Sequence, residues 1–233
     1  MDTELSAAQA VDGMRISLNN AEALIEEARI LLDADHPARA LALAILASEE
    51  LGKLPLYANV DTYAAKGRMQ QWWKRFRSHT EKIARHEFLT LAFRVKEFGE
   101  EEMRALVENR AGKTLHRLKM AALYTDFQSG RFISPLELPN AQELAQAAII
   151  YAMVTLQIHH LIVDRLTPDV LYDYWHNRDA WAREAENVPE AIEANLRESL
   201  GEKRFKELVQ GSEWLQESIA EFIDKLSQPG VGG

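Results

Sequence analysis

The chain has 233 residues, of which 47% are hydrophobic and 27% charged, with a formal net charge of −9 and no cysteine. That length accommodates one large domain or two small ones, and the missing thiols exclude disulfides, thiolate metal sites and a cysteine nucleophile. The acidic balance argues against diffuse attraction to nucleic acid or anionic membrane, so any such contact needs a local basic patch.

The N-terminal stretch MDTELSAAQAVDGMRISL lacks the basic start and continuous apolar core of a signal peptide, and the expected location is the cytoplasm. Leu5 to Leu32 reads as a first long helix, its apolar positions Leu18, Ala21, Leu24, Ile25, Ala28, Leu31 and Leu32 falling near the 3.6-residue period. Asp33-Ala34-Asp35-His36-Pro37 ends it and starts the next, since proline is tolerated in a first helical turn.

The second helix is expected from Ala38 to Tyr57, weakened at its end by Gly52 and Pro55. It is alanine- and leucine-rich on all sides, which implies burial, yet it closes on Glu49, Glu50 and Lys53. A buried carboxylate needs a partner. Lys53, four positions after Glu49, supplies one, and a second cation has to come from another element.

The next segment offers such cations. A third helix is expected from about Lys66 to Phe98, and its first part, KGRMQQWWKRFRSHTEKIAR, holds Lys66, Arg68, Lys74, Arg75, Arg77, Lys82 and Arg85 against Glu81 alone. Trp72, Trp73 and Phe76 are interleaved with these cations, a combination suited to phosphate and base contacts in single-stranded nucleic acid. Lys74, Arg75, Arg77, Trp72 and Trp73 are the RNA-binding candidates. The helical period places Trp72, Phe76, His79, Ile83 and His86 in one stripe with Lys82 and Arg75 at its edge. His79 therefore stands beside cations as a tunable acid–base group.

Glu100 to Leu123 reads as one or two helices, with Gly112 as a break. The stretch LYTDFQSGRFISPLELP (123–139) carries Gly130, Pro135 and Pro139 and is the least helical part of the chain. Asn140 and Glu143 match a capping box that opens a helix from Ala141 to about Asp164. Gln146, Gln157, His159 and His160 in that apolar run mark it as a buried bundle helix rather than a membrane span. His159, His160 and Asp164 have a spacing that metals use, but further ligands are required, and packing roles are assigned instead. Thr167-Pro168 starts a short helix, Val188 to Leu226 supplies one or two amphipathic helices, and the final glycines are expected to be disordered. No alternating strand pattern and no repeat is seen, so the fold class is all-α.

Three elements in order, EELGK (Glu49–Lys53), SHTEK (Ser78–Lys82) and LKMAALYTDF (Leu118–Phe127), resemble the AbiV family of phage abortive-infection proteins, grouped with the HEPN superfamily of small helical bundles. The resemblance covers about residues 15–165. It implies a HEPN-like bundle over 1–166, a C-terminal helical extension over 167–227 packed on it and a disordered tail over 228–233. It further implies a prokaryotic phage-defence protein, possible RNA as a partner, a homodimer, a phage or host protein partner, no cofactor and no membrane. Many HEPN proteins are metal-independent ribonucleases whose signature is an arginine, four to six residues, then a histidine. His79 has Lys74 rather than arginine in that window. Arg29…His36 and Arg110…His116 match literally, but with so many arginines and seven histidines one or two chance matches are expected, and neither is assigned a role.

On this reading, catalysis falls to His79 as acid–base group, Lys82 and Lys53 as phosphate-facing cations, and Glu49 or Glu50 as orienting or proton-accepting groups. Lys119, Tyr124 and Asp126 belong to a loop near the site. The rival reading is a non-catalytic defence factor that binds RNA or protein through the basic–aromatic face and blocks a host process such as translation.

Overall fold

The computed structural model describes residues 4–79, 82, 110–128, 130–184, 197, 198 and 201. Among them the protein is all-α apart from one short hairpin. Helix α1 (Ala7–Asp33) opens on a capping box in which Ser6 and Gln9 satisfy each other's backbone N–H groups. Its buried positions, among them Ala10, Met14, Leu18, Ala21, Ile25 and Ala28, form one stripe.

Helix α2 (Pro37–Leu51) is the hub. It packs against α1, against α6 (Arg110–Leu123) and against α7 (Ala141–Val163). Ala40, Ala42, Ala44 and Ala47 are wholly buried, and their small side chains let three neighbours approach one axis closely. The alanine-rich pattern that predicted burial thus marks the centre of the bundle.

The expected second helix, however, does not run on to Tyr57. The chain turns at Gly52 and Lys53 and restarts as α3 (Leu54–Ala58), with Pro55 in its first turn, followed by α4 (Val60–Ala65). Nor does the third helix continue: α5 (Met69–Arg77) stops at Ser78, whose backbone is extended. A new helical turn begins there, closed by the Lys82 N–H on the Ser78 carbonyl at 3.3 Å. His79 is therefore on a separate turn from Trp72 and Phe76, and the continuous stripe fails because the helix breaks between them. Ile83, His86 and the rest of that expected helix lie outside the described residues.

Gly112 is no break, since α6 runs through it. After α6 come strands β1 (Asp126–Gln128) and β2 (Arg131–Ile133), paired antiparallel with Phe127 opposite Phe132, and a single 3₁₀ turn at Pro135–Glu137. The hairpin escaped the sequence reading because three-residue strands are too short to show alternation. Asn140 does precede α7, but in the left-handed conformation (φ +55°) and with no side-chain cap, so the expected capping box is absent. Helix α7 is long and apolar enough to cross a membrane by length and composition; here it packs on α1 and α2, burying Ala145, Ala148, Ala152 and Leu156.

Helices α8 (Pro168–His176), capped by Thr167, and α9 (Arg178–Glu184) fold back on the bundle. Arg15 donates to the Leu166 carbonyl, Trp175 Nε1 to the Ala58 carbonyl, and Arg178 to Asn59 and Asp61. The amphipathic segment expected over Val188–Leu226 and the tail over 228–233 lie beyond the residues through which this packing is described, save for 197, 198 and 201.

Candidate functional site

The charged end of α2 divides its two carboxylates between two surroundings. Adjacent helical residues point about 100° apart, and Glu49 and Glu50 take different hydrogen-bond partners. Glu50 accepts from Lys53 Nζ at 2.6 Å through both oxygens. The expected Lys53–Glu49 pair is thus replaced by an i,i+3 pair, because the chain turns at Gly52 and carries Lys53 toward Glu50. Lys53 also lies 5.4 Å from the Phe76 ring centre, and Tyr57 beside this pair is raised above the ordinary tyrosine range by its burial, with the Glu50 charge adding to the effect.

Glu49 is the deeper of the two, 2% exposed. One oxygen, Oε2, lies 2.6 Å from His79 Nδ1 and 3.9 Å from Lys82 Nζ, while Oε1 accepts from Lys119 Nζ. Three segments remote in sequence thereby meet on one carboxylate: the end of α2, the turn after α5, and α6. Lys119 sits on α6 and is buried, so it belongs to a helix at the centre of the cluster rather than to a neighbouring loop. A carboxylate only accepts, which fixes the proton of His79 on Nδ1 and leaves Nε2 as the free ring nitrogen. The 3.3 Å approach of Lys119 Nζ to the same Nδ1 is then a contact between two donors that share Glu49. The His79 side chain is half exposed, which opens the cluster to solvent.

His116, one turn before Lys119 on α6, completes the group. Its ring stacks on His79 with centres 5.8 Å apart and planes 22° from parallel. Its Nδ1 is buried without a hydrogen-bond partner. Burial first, and the positive charges of Lys119 and His79 second, push it below the usual histidine range and favour the neutral ring. The sequence reading missed His116 as a site residue, although its signal was in view: Arg110…His116 is one of the two literal matches to the arginine–histidine signature, and it opens α6. The other match, Arg29…His36, lies across the turn before α2, with Arg29 paired to Glu26 on the surface.

Gly52 allows the assembly. A Cβ there would stand 2.0 Å from the Lys82 carbonyl oxygen and 2.6 Å from its carbon. Only a glycine lets the backbone carrying Lys82 lie directly on the end of α2. Lys82 is itself buried, and burial pulls it below the ordinary lysine range, the neighbouring Lys53 and Lys119 acting in the same direction and Glu49 against them.

The basic–aromatic candidates separate. Trp72 is wholly buried, donates Nε1 to the Leu56 carbonyl at 2.9 Å and stacks on Phe76; it is a packing centre and has no free face for a base. Trp73 is half-buried, with Arg77 over its ring at 5.7 Å. Arg75 donates to Tyr63 and lies over that ring, and Lys74 is exposed. Tyr124 and Asp126 are exposed at the end of α6 and the start of the hairpin, with Asp126 accepting from the Phe127 N–H. His159 is buried on α7, its Nδ1 2.7 Å from the Thr155 carbonyl, and His160 lies 3.3 Å from Asp164. Neither is near a third ligand, and among the described residues no group of three metal-binding side chains occurs.

A family model described as AbiV, HEPN_AbiV, matches residues 9–156, from the start of α1 through most of α7. No curated protein and no solved structure matches the chain.

Proposed function

The chain belongs to the AbiV family of the HEPN superfamily, proteins of abortive-infection phage defence, and on that footing we propose that it is a metal-independent ribonuclease whose chemistry is centred on His79. The observation that carries this reading is the carboxylate-held imidazole: Glu49 fixes His79 Nδ1 as the protonated nitrogen at 2.6 Å, beside a second imidazole and two buried ammonium groups.

RNA cleavage without a metal needs a base for the ribose 2′-hydroxyl, an acid for the departing 5′-oxygen and positive charge for the pentacovalent phosphorus. His116, favoured as the neutral ring, suits the base. His79, with Nε2 free and Nδ1 anchored, suits the acid. Lys82 and Lys119 supply positive charge, and Glu49 orients His79 and Lys119. Glu50 and Lys53 form their own pair beside the cluster. The exposed Lys74 and Arg77, with the partly exposed Trp73, guide RNA toward it. The protein acts in the cytoplasm, as a homodimer in keeping with its superfamily.

The test is cleavage of total and defined RNA by the purified chain in excess chelator. His79→Ala and His116→Ala each lower the rate by about a hundredfold or more, with melting temperature unchanged. Variants that keep the wild-type rate overturn the assignment.

A second reading has its own observation. Phe127, Phe132 and Leu136 are 59%, 73% and 87% exposed on the hairpin and the turn after it, an apolar surface suited to a protein partner. On that reading the protein blocks a host process by binding, and RNA degradation products are absent.

A further inference from the structure

Lys82, a buried cation of the cluster, has the weakest contact. The Lys82 side chain is 8% exposed, yet among the described residues its Nζ makes no hydrogen bond; its ion-pair partner, Glu49 Oε2, is 3.9 Å away. Glu49 is already taken up at closer range by His79 and Lys119, and Glu50 by Lys53. A buried lysine held by one ion pair at 3.9 Å, beside a buried His116 Nδ1 that has no hydrogen-bond partner, leaves polar groups under-satisfied, and among the described residues the local charge does not close. Among those residues Lys82 and Lys119 face one available carboxylate, which leaves a surplus positive charge before either histidine is protonated. An anion placed between Lys82 Nζ and the His79–His116 pair removes both deficits.

We propose that this cluster is a binding site for a terminal phosphate, the monoester group of a nucleotide or of an RNA end. The inference deepens the ribonuclease reading and rests on it for the origin of the ligand: cleavage by 2′-hydroxyl attack and opening of the cyclic product leaves such a phosphate on the 3′ side. Charge selects a monoester over the internal diester of an intact strand, because a doubly charged phosphate matches the surplus once an imidazole is protonated, and a singly charged diester does not. Retention of a cleaved end follows, and with it inhibition by product.

The experiment is calorimetric titration of the full chain with adenosine 3′-monophosphate, with the dinucleoside monophosphate ApA and with adenosine. Adenosine 3′-monophosphate is expected to bind about tenfold or more tightly than ApA, as one or two charge-assisted hydrogen bonds require, and adenosine without phosphate not at all. Lys82→Gln weakens the monophosphate by a similar factor and ApA by less, while Arg39→Gln, at the far end of α2, changes neither. If the glutamine variant fails to fold, Lys82→Met, an apolar replacement for the buried stem, carries the measurement. Equal affinity for ApA and the monophosphate, or full monophosphate binding by the Lys82 variants, overturns the proposal. RNA cleavage without monophosphate binding also rejects it while sparing the ribonuclease reading. Monophosphate binding with Lys82 dependence but no cleavage supports the phosphate site and rejects the ribonuclease.

Discussion

Nδ1 of His79 lies 2.6 Å from Oε2 of Glu49, across thirty positions of sequence. Glu49 stands in the last turn of α2, which ends at Leu51, and His79 in the turn that follows the end of α5 at Arg77, so the pairing joins the end of one helix to the break after another. The site is thus built from two helix breaks and the helix α6 that closes over them.

Glu49→Gln tests how much the cluster depends on one charge. The substitution keeps the shape but leaves Lys119 and Lys82 buried with no counter-charge. Removing one partner of a buried pair costs about 3–5 kcal/mol, so urea unfolding is expected to show a loss of that order with little change in slope. Adding Lys119→Met to the variant restores part of it, because the second buried charge is then gone. A Glu49→Gln protein as stable as wild type means that Glu49 is not the hub of these contacts.

Gly52→Ala places a methyl group where the Lys82 carbonyl stands, 2.0 Å away. The obstacle is backbone and cannot rotate aside. A loss of about 1–3 kcal/mol is expected from such overpacking, together with a shift of Lys82 away from Glu49. Chemical denaturation measures the first; the amide resonances of the Glu49 and Lys82 segments report the second.

The helical bundle was legible because it rests on periodicity and on composition. The alanine run of α2 and the apolar stripe of α1 need no knowledge of their partners to be read as buried faces. The candidate site was legible in part for the same reason: charge at the end of an apolar helix demands cations, and the basic segment was the obvious source. Which cation goes where was not legible. Lys53 turns to Glu50, and Lys119 arrives from seventy positions away, choices set by two turns and a helix crossing that no local pattern encodes. His116 was hidden by the same limit. Its spacing from Arg110 has chance matches elsewhere, and only its stacking on His79 separates it from them.

Trp72 illustrates how one residue type carries two opposite readings. In sequence it belongs to a basic–aromatic run; in the fold it is wholly buried among Tyr57, Trp73 and Phe76. Trp72→Ala is expected to cost about 3–5 kcal/mol, as truncation of a buried aromatic does. Trp73→Ala, removing a half-buried ring, costs less in stability but lowers RNA affinity through loss of its exposed face. Fluorescence-detected unfolding and salt-dependent RNA binding separate the two, and equal stability losses for both would count against this division.

His159 sets the acid limit of the fold. Its side chain is buried on α7, with Nδ1 donating to the Thr155 carbonyl and Nε2 without a partner. Burial lowers it from 6.5 to about 4. Between those values the unfolded chain takes up a proton that the folded chain refuses, so the unfolded state binds more protons and stability rises with pH. The contribution is therefore complete above about pH 6.5 and is lost as pH falls toward 4. The shift corresponds to about 3 kcal/mol at the acid end. His159→Phe removes the titrating group while filling the space, and its stability is expected to be flatter over this interval than that of wild type. Denaturant midpoints at a series of pH values provide the measurement; parallel profiles for the two proteins would show that His159 does not govern the acid limb.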